Sequence, residues 1–394
     1  MKRAITGTFL TCLAILLAYY GWFFTQNRQE TGEETVKVGF LFENDESTPY
    51  TYNFIAARDT LQRKFPERVE VLSRSNVPPE ETEESLRDLI SNGCTVLFCN
   101  NYSDQFAAMA SQYPDITFCQ VSYSENGTEG RPKNYHTFNG AIYQARYVSG
   151  VAAGMKLQQM IDEGRITGRQ ALVGYVAAFQ TPEVISGYTA FFLGVRSIVP
   201  EARMLVRTIH SWSNFSLEKQ TARDLIDEGC LVISQHTDTI GPALACEEAE
   251  TPVYFVGYNK SMMDVAPDTA LMSVRIYWVP YVTDAVEAVL EGKTIEKYVS
   301  GNAFGNDMCA GFERSWVQIL EPNVAQLAPG TQEKINEVIT ALQRGSLSVF
   351  QGPYVGVNPA DPSDIINLSG GFQENKASSF PTFHYILEDV IEVR

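Results

Sequence analysis

The sequence predicts an α/β protein of two similar lobes, each built on a parallel sheet. Three observations point there. Residues 86–100 read L-R-D-L-I-S-N-G-C-T-V-L-F-C-N and residues 222–236 read A-R-D-L-I-D-E-G-C-L-V-I-S-Q-H, an echo at one constant offset. Each copy has the form of a helix end, a glycine where a left-handed residue must stop the helix, and then a buried strand. Apolar strands alternate with helical patterns along the chain, as in successive βαβ units. With 394 residues, 44% apolar and 20% charged, the chain is long enough for two cores.

The first series opens with the near-continuous apolar strand 36–42, of the kind buried on both faces of a parallel sheet. After the loop 43–47, Thr48 is placed to cap a helix with Pro49 at its first position, and Phe54, Ala57 and Leu61 give that helix its inner face. Strand, helix, strand, helix and strand follow over 69–72, 80–92, 95–99, 103–113 and 116–121. A helix over 143–161 leads to the second series: 171–176, 183–198, 204–208, 215–228, 231–235, 240–249 and 253–257. Asn214 is the expected N-cap of the helix from 215, with Leu217, Leu225 and Ile226 turned inward. One more strand (271–274) and helix (281–290) precede a tail from Leu347, rich in Gly, Pro and Asn, that is expected to return across the lobes.

The amino terminus stands apart. Lys2 and Arg3 precede an uncharged apolar run from Ala4 to Phe24, about the length that spans a bilayer, with its basic end on the cytoplasmic side. A cleaved secretory signal is the alternative, but such signals end in small residues and this run exits through Gly21-Trp22-Phe23-Phe24. The expectation is therefore an uncleaved transmembrane signal anchor over 1–24, a tether over 25–35, and an extracytoplasmic remainder.

The formal charge of −17 argues against nucleic acid or an anionic membrane surface as the main partner. Six cysteines fall in the exported part, with no C-x-x-C pair, and read as buried thiols, with disulfides the open alternative; no metal site is expected. Catalysis finds no motif: G-x-S-x-G, the P-loop and H-E-x-x-H are missing, and no cofactor fingerprint follows Phe42.

In such sheets ligands are met by the loops after the strands. Those loops hold Asn44-Asp45-Glu46-Ser47 with Tyr50 and Tyr52, then Asn100-Asn101-Tyr102, then residues 178–183 ending in Glu183. Next come His210-Ser211-Trp212, His236-Thr237-Asp238, Tyr258-Asn259-Lys260 and Tyr277-Trp278. Aromatic faces beside amide, hydroxyl and carboxyl groups suit a flat heteroaromatic ligand. Each residue also has an ordinary structural role open to it. Tyr50 and Trp212 can staple helix starts, Trp278 suits the core, Asp238 can cap a helix near Ile240, and His236 can be a satisfied core histidine.

Several segments resemble the basic membrane protein (BMP) family of bacterial substrate-binding proteins of ABC transporters. They are F-N-G-A-I-Y-Q-A-R-Y-V-S-G-V-A-A-G at 138–154, T-P-E-V-I at 181–185, A-F-F-L-G-V-R-S at 190–197, Ser211-Trp212, the stretch 227–238, Gly257-Tyr258, and F-Q-G-P-Y-V-G at 350–356. The resemblance implies a type I periplasmic-binding-protein fold, two Rossmann-like lobes joined by hinge crossings. Lobe 1 would then hold 36–140 with about 275–310, and lobe 2 141–274 with about 311–346, while 347–394 crosses both. It implies an extracytoplasmic receptor for a purine nucleoside or nucleobase, serving an ABC permease, with no cofactor. Carried over by position, Tyr50 and Trp212 become stacking aromatics, and Glu183, His236 and Asp238 lie in matching segments. Asn259 stands where relatives carry an acidic residue, and a first-loop tryptophan of relatives is Tyr50 here. The expected ligand set is Tyr50, Tyr52, Asn101, Tyr102, Glu183, Trp212, His236, Asp238 and Asn259. Two alternatives remain open: a receptor of this fold that reports to a membrane sensor or regulator, and a nucleoside hydrolase.

Overall fold

The computed structural model describes residues 35–125 and 130–394. The expected anchor over 1–24 and all but the last residue of the tether lie outside the described residues, among which no helix is long and apolar enough to cross a membrane.

The chain runs through β1 (Val36–Leu41), α1 (Pro49–Lys64), β2 (Val69–Arg74), α2 (Thr82–Ser91), β3 (Val96–Cys99), α3 (Asp104–Gln112), β4 (Thr117–Val121) and β5 (Tyr135–Gly140). It then enters the second lobe through α4 (Ile142–Asp162), β6 (Leu172–Ala177), α5 (Pro182–Arg196), β7 (Arg203–Thr208), α6 (Phe215–Asp227), β8 (Val232–His236), α7 (Gly241–Glu247), β9 (Tyr254–Tyr258) and β10 (Ala270–Ile276). α8 (Val279–Leu290), α9 (Ile295–Tyr298), β11 (Asn302–Phe304) and β12 (Asp307–Ala310) rejoin the first lobe. β13 (Val317–Leu320) and α10 (Thr331–Gln343) belong again to the second. The tail adds β14 (Val355–Asn358), β15 (Asp361–Asn367), β16 (Ile386–Leu387) and β17 (Ile391–Val393).

The first sheet has the order β11-β12-β5-β4-β3-β1-β2 and the second β13-β10-β9-β8-β6-β7-β17. Both are parallel apart from one antiparallel edge strand each, β11 and β13. Counted within its own lobe, each parallel series runs 2-1-3-4-5, so each sheet reverses its order beside its first strand, between β1 and β3 and between β6 and β8. Ligands of open α/β sheets bind at this switch point.

The echoed segments occupy equivalent places beside those switch points. Gly93 and Gly229 take φ of 90° and 95°, closing α2 and α6 in the left-handed region that L side chains avoid. Beyond them the repeat packs on a glycine of the neighbouring strand. A Cβ on Gly39 would lie 2.6 Å from Leu97 and 3.2 Å from the Cys94 sulfur, and one on Gly174 2.7 Å from Ile233 and 3.1 Å from the Cys230 sulfur. All six described cysteines are buried free thiols, as expected of them.

α4 is buried almost all round, which its alanine- and glycine-rich sequence permits. It crosses α5 at backbone contact: a Cβ on Gly150 would stand 1.8 Å from the Phe191 carbonyl oxygen, and one on Gly194 2.1 Å from that of Tyr147. In α6, Asn214 accepts from the Leu217 N–H at 3.1 Å, the cap its sequence announces. Leu217 itself is 40% exposed, contrary to the inward expectation; it sits in the first turn of the helix, whose buried face begins at Glu218. The tail forms the small sheet β15-β14-β16 and lends β17 to the edge of the second sheet beside β7. It touches both lobes: Ser379 N donates to Asp307 at 2.7 Å in the first, and Ser186 Oγ of the second donates to Glu374 at 2.9 Å.

Candidate ligand-binding site

The carboxyl ends of β1, β3, β6, β8 and β9 face one another across the lobes. The cavity between them holds about 460 Å³ of space, partly open to solvent, and is lined by Glu43, Asn44, Tyr50, Tyr102, Glu183, Trp212, His236, Asp238, Tyr258 and Asn259.

Side chains of the first lobe are held by its own strand-end loops. Asn100 Oδ1 accepts from Glu43 N at 2.8 Å, and the Tyr50 hydroxyl donates to the Asn100 carbonyl at 3.4 Å. Trp278, in the core as one reading had it, meets Tyr50 edge-on at 6.0 Å and so fixes the ring from behind. In the second lobe the buried Glu218 braces two loops: its carboxylate accepts from Asn214 N at 2.9 Å and from Thr239 N at 3.1 Å. Asp238 N donates to the Trp212 carbonyl at 2.8 Å, tying those loops together. Trp212 leans on Phe179 at 5.4 Å and on His236 at 6.2 Å. Asp238 caps no helix, since α7 begins after Ile240 and has no side-chain cap. Its carboxyl faces the cavity.

The lobes touch at the cavity. The Tyr102 hydroxyl donates to Glu183 Oε2 at 3.3 Å, and Asn53 Nδ2 donates to the Asn259 carbonyl at 2.7 Å. Asn259 has φ of 62°, a left-handed conformation that asparagine tolerates better than most residues, and its Nδ2 has no partner in the protein.

Burial dominates the electrostatics. It raises the Glu183 carboxyl to about 7, against the lowering effects of the Tyr102 hydrogen bond and Arg146. It raises Asp238 to about 8, helped by repulsion from Glu218, Glu43 and Glu183. Glu43 is also raised by burial. Burial, then Arg146, push the His236 imidazole well below its usual value, so it is neutral and its 4.0 Å approach to Glu183 is no ion pair. The walls therefore offer three carboxyls and no lysine or arginine.

Seven of the nine expected residues line this cavity, and two do not. Asn101 is fully buried and turned into its own lobe, where Nδ2 donates to Thr82 Oγ1 at 2.9 Å and Oδ1 accepts from the Cys99 thiol at 2.9 Å. Tyr52 lies on the outer face of α1, 43% exposed, with Lys260 Nζ 5.4 Å from its ring. Glu43, Asn44 and Tyr258 were outside the expected set. All three stand directly at or after a strand end, so the strand-end rule applied to every residue would have included them.

Residues 36–346 match the family of PnrA-like ABC transporter substrate-binding proteins, Bmp. The chain belongs to this family. Within reach of this Bmp protein lies the purine-binding protein of Brucella abortus, 28% identical over 326 residues, 82% of this chain and 85% of the relative. A Haloferax volcanii protein, whose name provisionally assigns it glucose binding in an ABC transporter, is 30% identical over 264 residues, 66% of this chain and 61% of the relative. Among solved structures, a solute-binding protein of an ABC transporter system from Conexibacter woesei aligns with TM-score 0.63 at 17% identity, covering 79% of this chain and 98% of that one. One from Aeropyrum pernix aligns at 0.59 and 16% identity, covering 79% and 87%. Family and fold are those of substrate-binding proteins, not of enzymes. Such Bmp proteins act outside the cytoplasm, with a small-molecule ligand and a permease as partners.

Proposed function

We propose that this Bmp protein captures a purine nucleoside or nucleobase between its lobes and delivers it to an ABC permease, held at the cell membrane by residues 1–24. The observation that carries the reading is the composition of one cavity: Tyr50 and Tyr102 from one lobe and Trp212 and Tyr258 from the other, with carboxyls and amides between them. Aromatic faces stack on a flat ring, while Glu43, Glu183 and Asp238 accept from amino, imino and ribose hydroxyl groups, and Asn259 Nδ2 is a free donor for a ring nitrogen or carbonyl. A cavity rich in carboxyls and without a cation in its wall disfavours phosphorylated ligands. The Brucella relative's purine binding supports the same class.

The test is ligand-dependent stabilisation of the purified protein. A ligand at 100 times its Kd stabilises the folded state by about 2.7 kcal/mol, which a melting curve resolves. Adenosine, guanosine, inosine or a free purine base is expected to raise the Tm, with glucose as the control suggested by the name of the Haloferax relative. Failure of every purine overturns the ligand class. Trp212→Ala is expected to weaken the responding ligand by about 1–3 kcal/mol, roughly fivefold to 150-fold in Kd.

A further inference from the structure

Arg146, in the second turn of α4, is fully buried. Its guanidinium carbon lies 3.8 Å from the centre of the Tyr258 ring and 5.7 Å from that of Tyr175, and Nη1 donates to the Gln235 carbonyl at 2.9 Å. Nε and Nη2 have no hydrogen-bond partner in the protein. The Tyr175 hydroxyl and His236 Nδ1 are likewise unpartnered and flank one space: a Cβ built on Gly187 would lie 3.7 Å from the first and 2.8 Å from the second. Tyr258 lines the cavity, so the guanidinium stands one ring's thickness behind the cavity wall.

A guanidinium does not shed its proton in a protein, and a buried charge without compensation costs several kcal/mol. Something must balance Arg146. Two carboxyls line the same cavity as the Tyr258 ring that Arg146 packs on, Glu183 in the first turn of α5 and Asp238 in the loop after β8, and the guanidinium acts to lower both against the larger effect of burial. Neither pairs with another lysine or arginine among the described residues, and both face the cavity. We infer that Arg146 is the counter-charge of the ligand cavity, a positioning residue that sets from behind the Tyr258 ring how much negative charge Glu183 and Asp238 present to a ligand. The other groups around this trio are the Tyr102 hydroxyl and neutral His236 beside Glu183, the carboxyls of Glu218 and Glu43 acting on Asp238, and the protonated phenols of Tyr50, Tyr175 and Tyr258. Burial opposes ionisation of both carboxyls and Arg146 favours it, leaving them near 7 and 8, where part of the charge is present at neutral pH.

This inference deepens the proposed function by assigning the charge of that site, and its test uses ligand-free protein, so a failure to bind purines does not decide it. Melting curves are recorded from pH 5 to pH 9 for the wild type, Arg146→Gln, the double variant Glu183→Gln/Asp238→Asn, and all three changes combined. Loss of the counter-charge moves ionisation of the carboxyls to higher pH at a cost, so the Arg146→Gln deficit in Tm is expected to grow by about 2–4 °C between pH 5 and pH 9. In the double-variant background that pH-dependent part is expected to vanish. A deficit that is constant across pH, or that persists with its pH dependence when both carboxyls are gone, overturns the assignment, because it marks a purely packing role. If Arg146→Gln alone does not fold, the combined variant decides: folding restored by removing the carboxyls as well supports the balance of charge, and failure to restore it overturns it.

Discussion

Glu183 and Asp238 show how a residue's setting in the fold overrides its intrinsic chemistry. A free carboxyl ionises near 4, and burial in the cleft wall raises these two to about 7 and about 8. The sign of the consequence follows from linkage. The folded protein holds protons on these groups that the unfolded chain has already released, so stability is greatest below the unfolded values and falls as pH rises from about 4 through 8. Urea unfolding of ligand-free protein at pH 5.5 and pH 8.5 is expected to give the lower stability at pH 8.5, with Glu183→Gln/Asp238→Asn flattening the difference. An unchanged difference in that variant would assign the pH dependence elsewhere. Legibility at this scale was uneven. Tyr50, Trp212 and Asp238 could be picked because they follow strands, yet Asn101 also follows a strand and is spent on Thr82 inside its own lobe. Loop residues have no period, so nothing in the sequence tells which way an individual loop side chain turns.

Among the elements, the crossing of α4 and α5 depends on two glycines, Gly150 and Gly194. A methyl at Gly150 would collide with the Phe191 carbonyl, backbone that cannot step aside without parting the helices. Gly150→Ala is expected to destabilise by about 3 kcal/mol, the upper end of overpacking costs, read as a lower urea midpoint at unchanged slope. A loss below about 1 kcal/mol would mean that the helix crossing relaxes freely. The elements themselves were the most legible part of the chain. Gly93 and Gly229 end their helices where the echoed segments place them, and Asn214 caps α6. Leu217 departed because periodicity assigns a face to a helix but does not say whether the rest of the fold covers its first turn.

For the whole molecule, closure is held by few polar contacts between lobes, chiefly Tyr102 to Glu183 and Asn53 to Asn259. A ligand touching both walls adds to these and shifts the population toward the closed form by its differential affinity. Tyr102→Phe removes one interlobe hydrogen bond, worth about 1 kcal/mol net. It is expected to raise the mean radius of gyration of ligand-free protein in small-angle scattering, and to weaken a bound purine about fivefold. Identical scattering curves for the variant and the wild type would show that this contact does not govern closure.

By itself the sequence determined the alternation of strands and helices, the duplication into two like lobes, the family, and the strand ends at which a ligand is met. These rest on local rules: apolar periodicity, glycine and proline at helix ends, and motifs read in order. Only the tertiary structure decided which strand-end side chains face one another, that Asn53 closes on Asn259 206 residues away, and that Arg146 lies behind Tyr258. Those pairings, and the burial that displaces Glu183, Asp238 and His236 from their ordinary ionisation, arise from the docking of two lobes whose chain crosses between them more than once, and no local pattern encodes that docking.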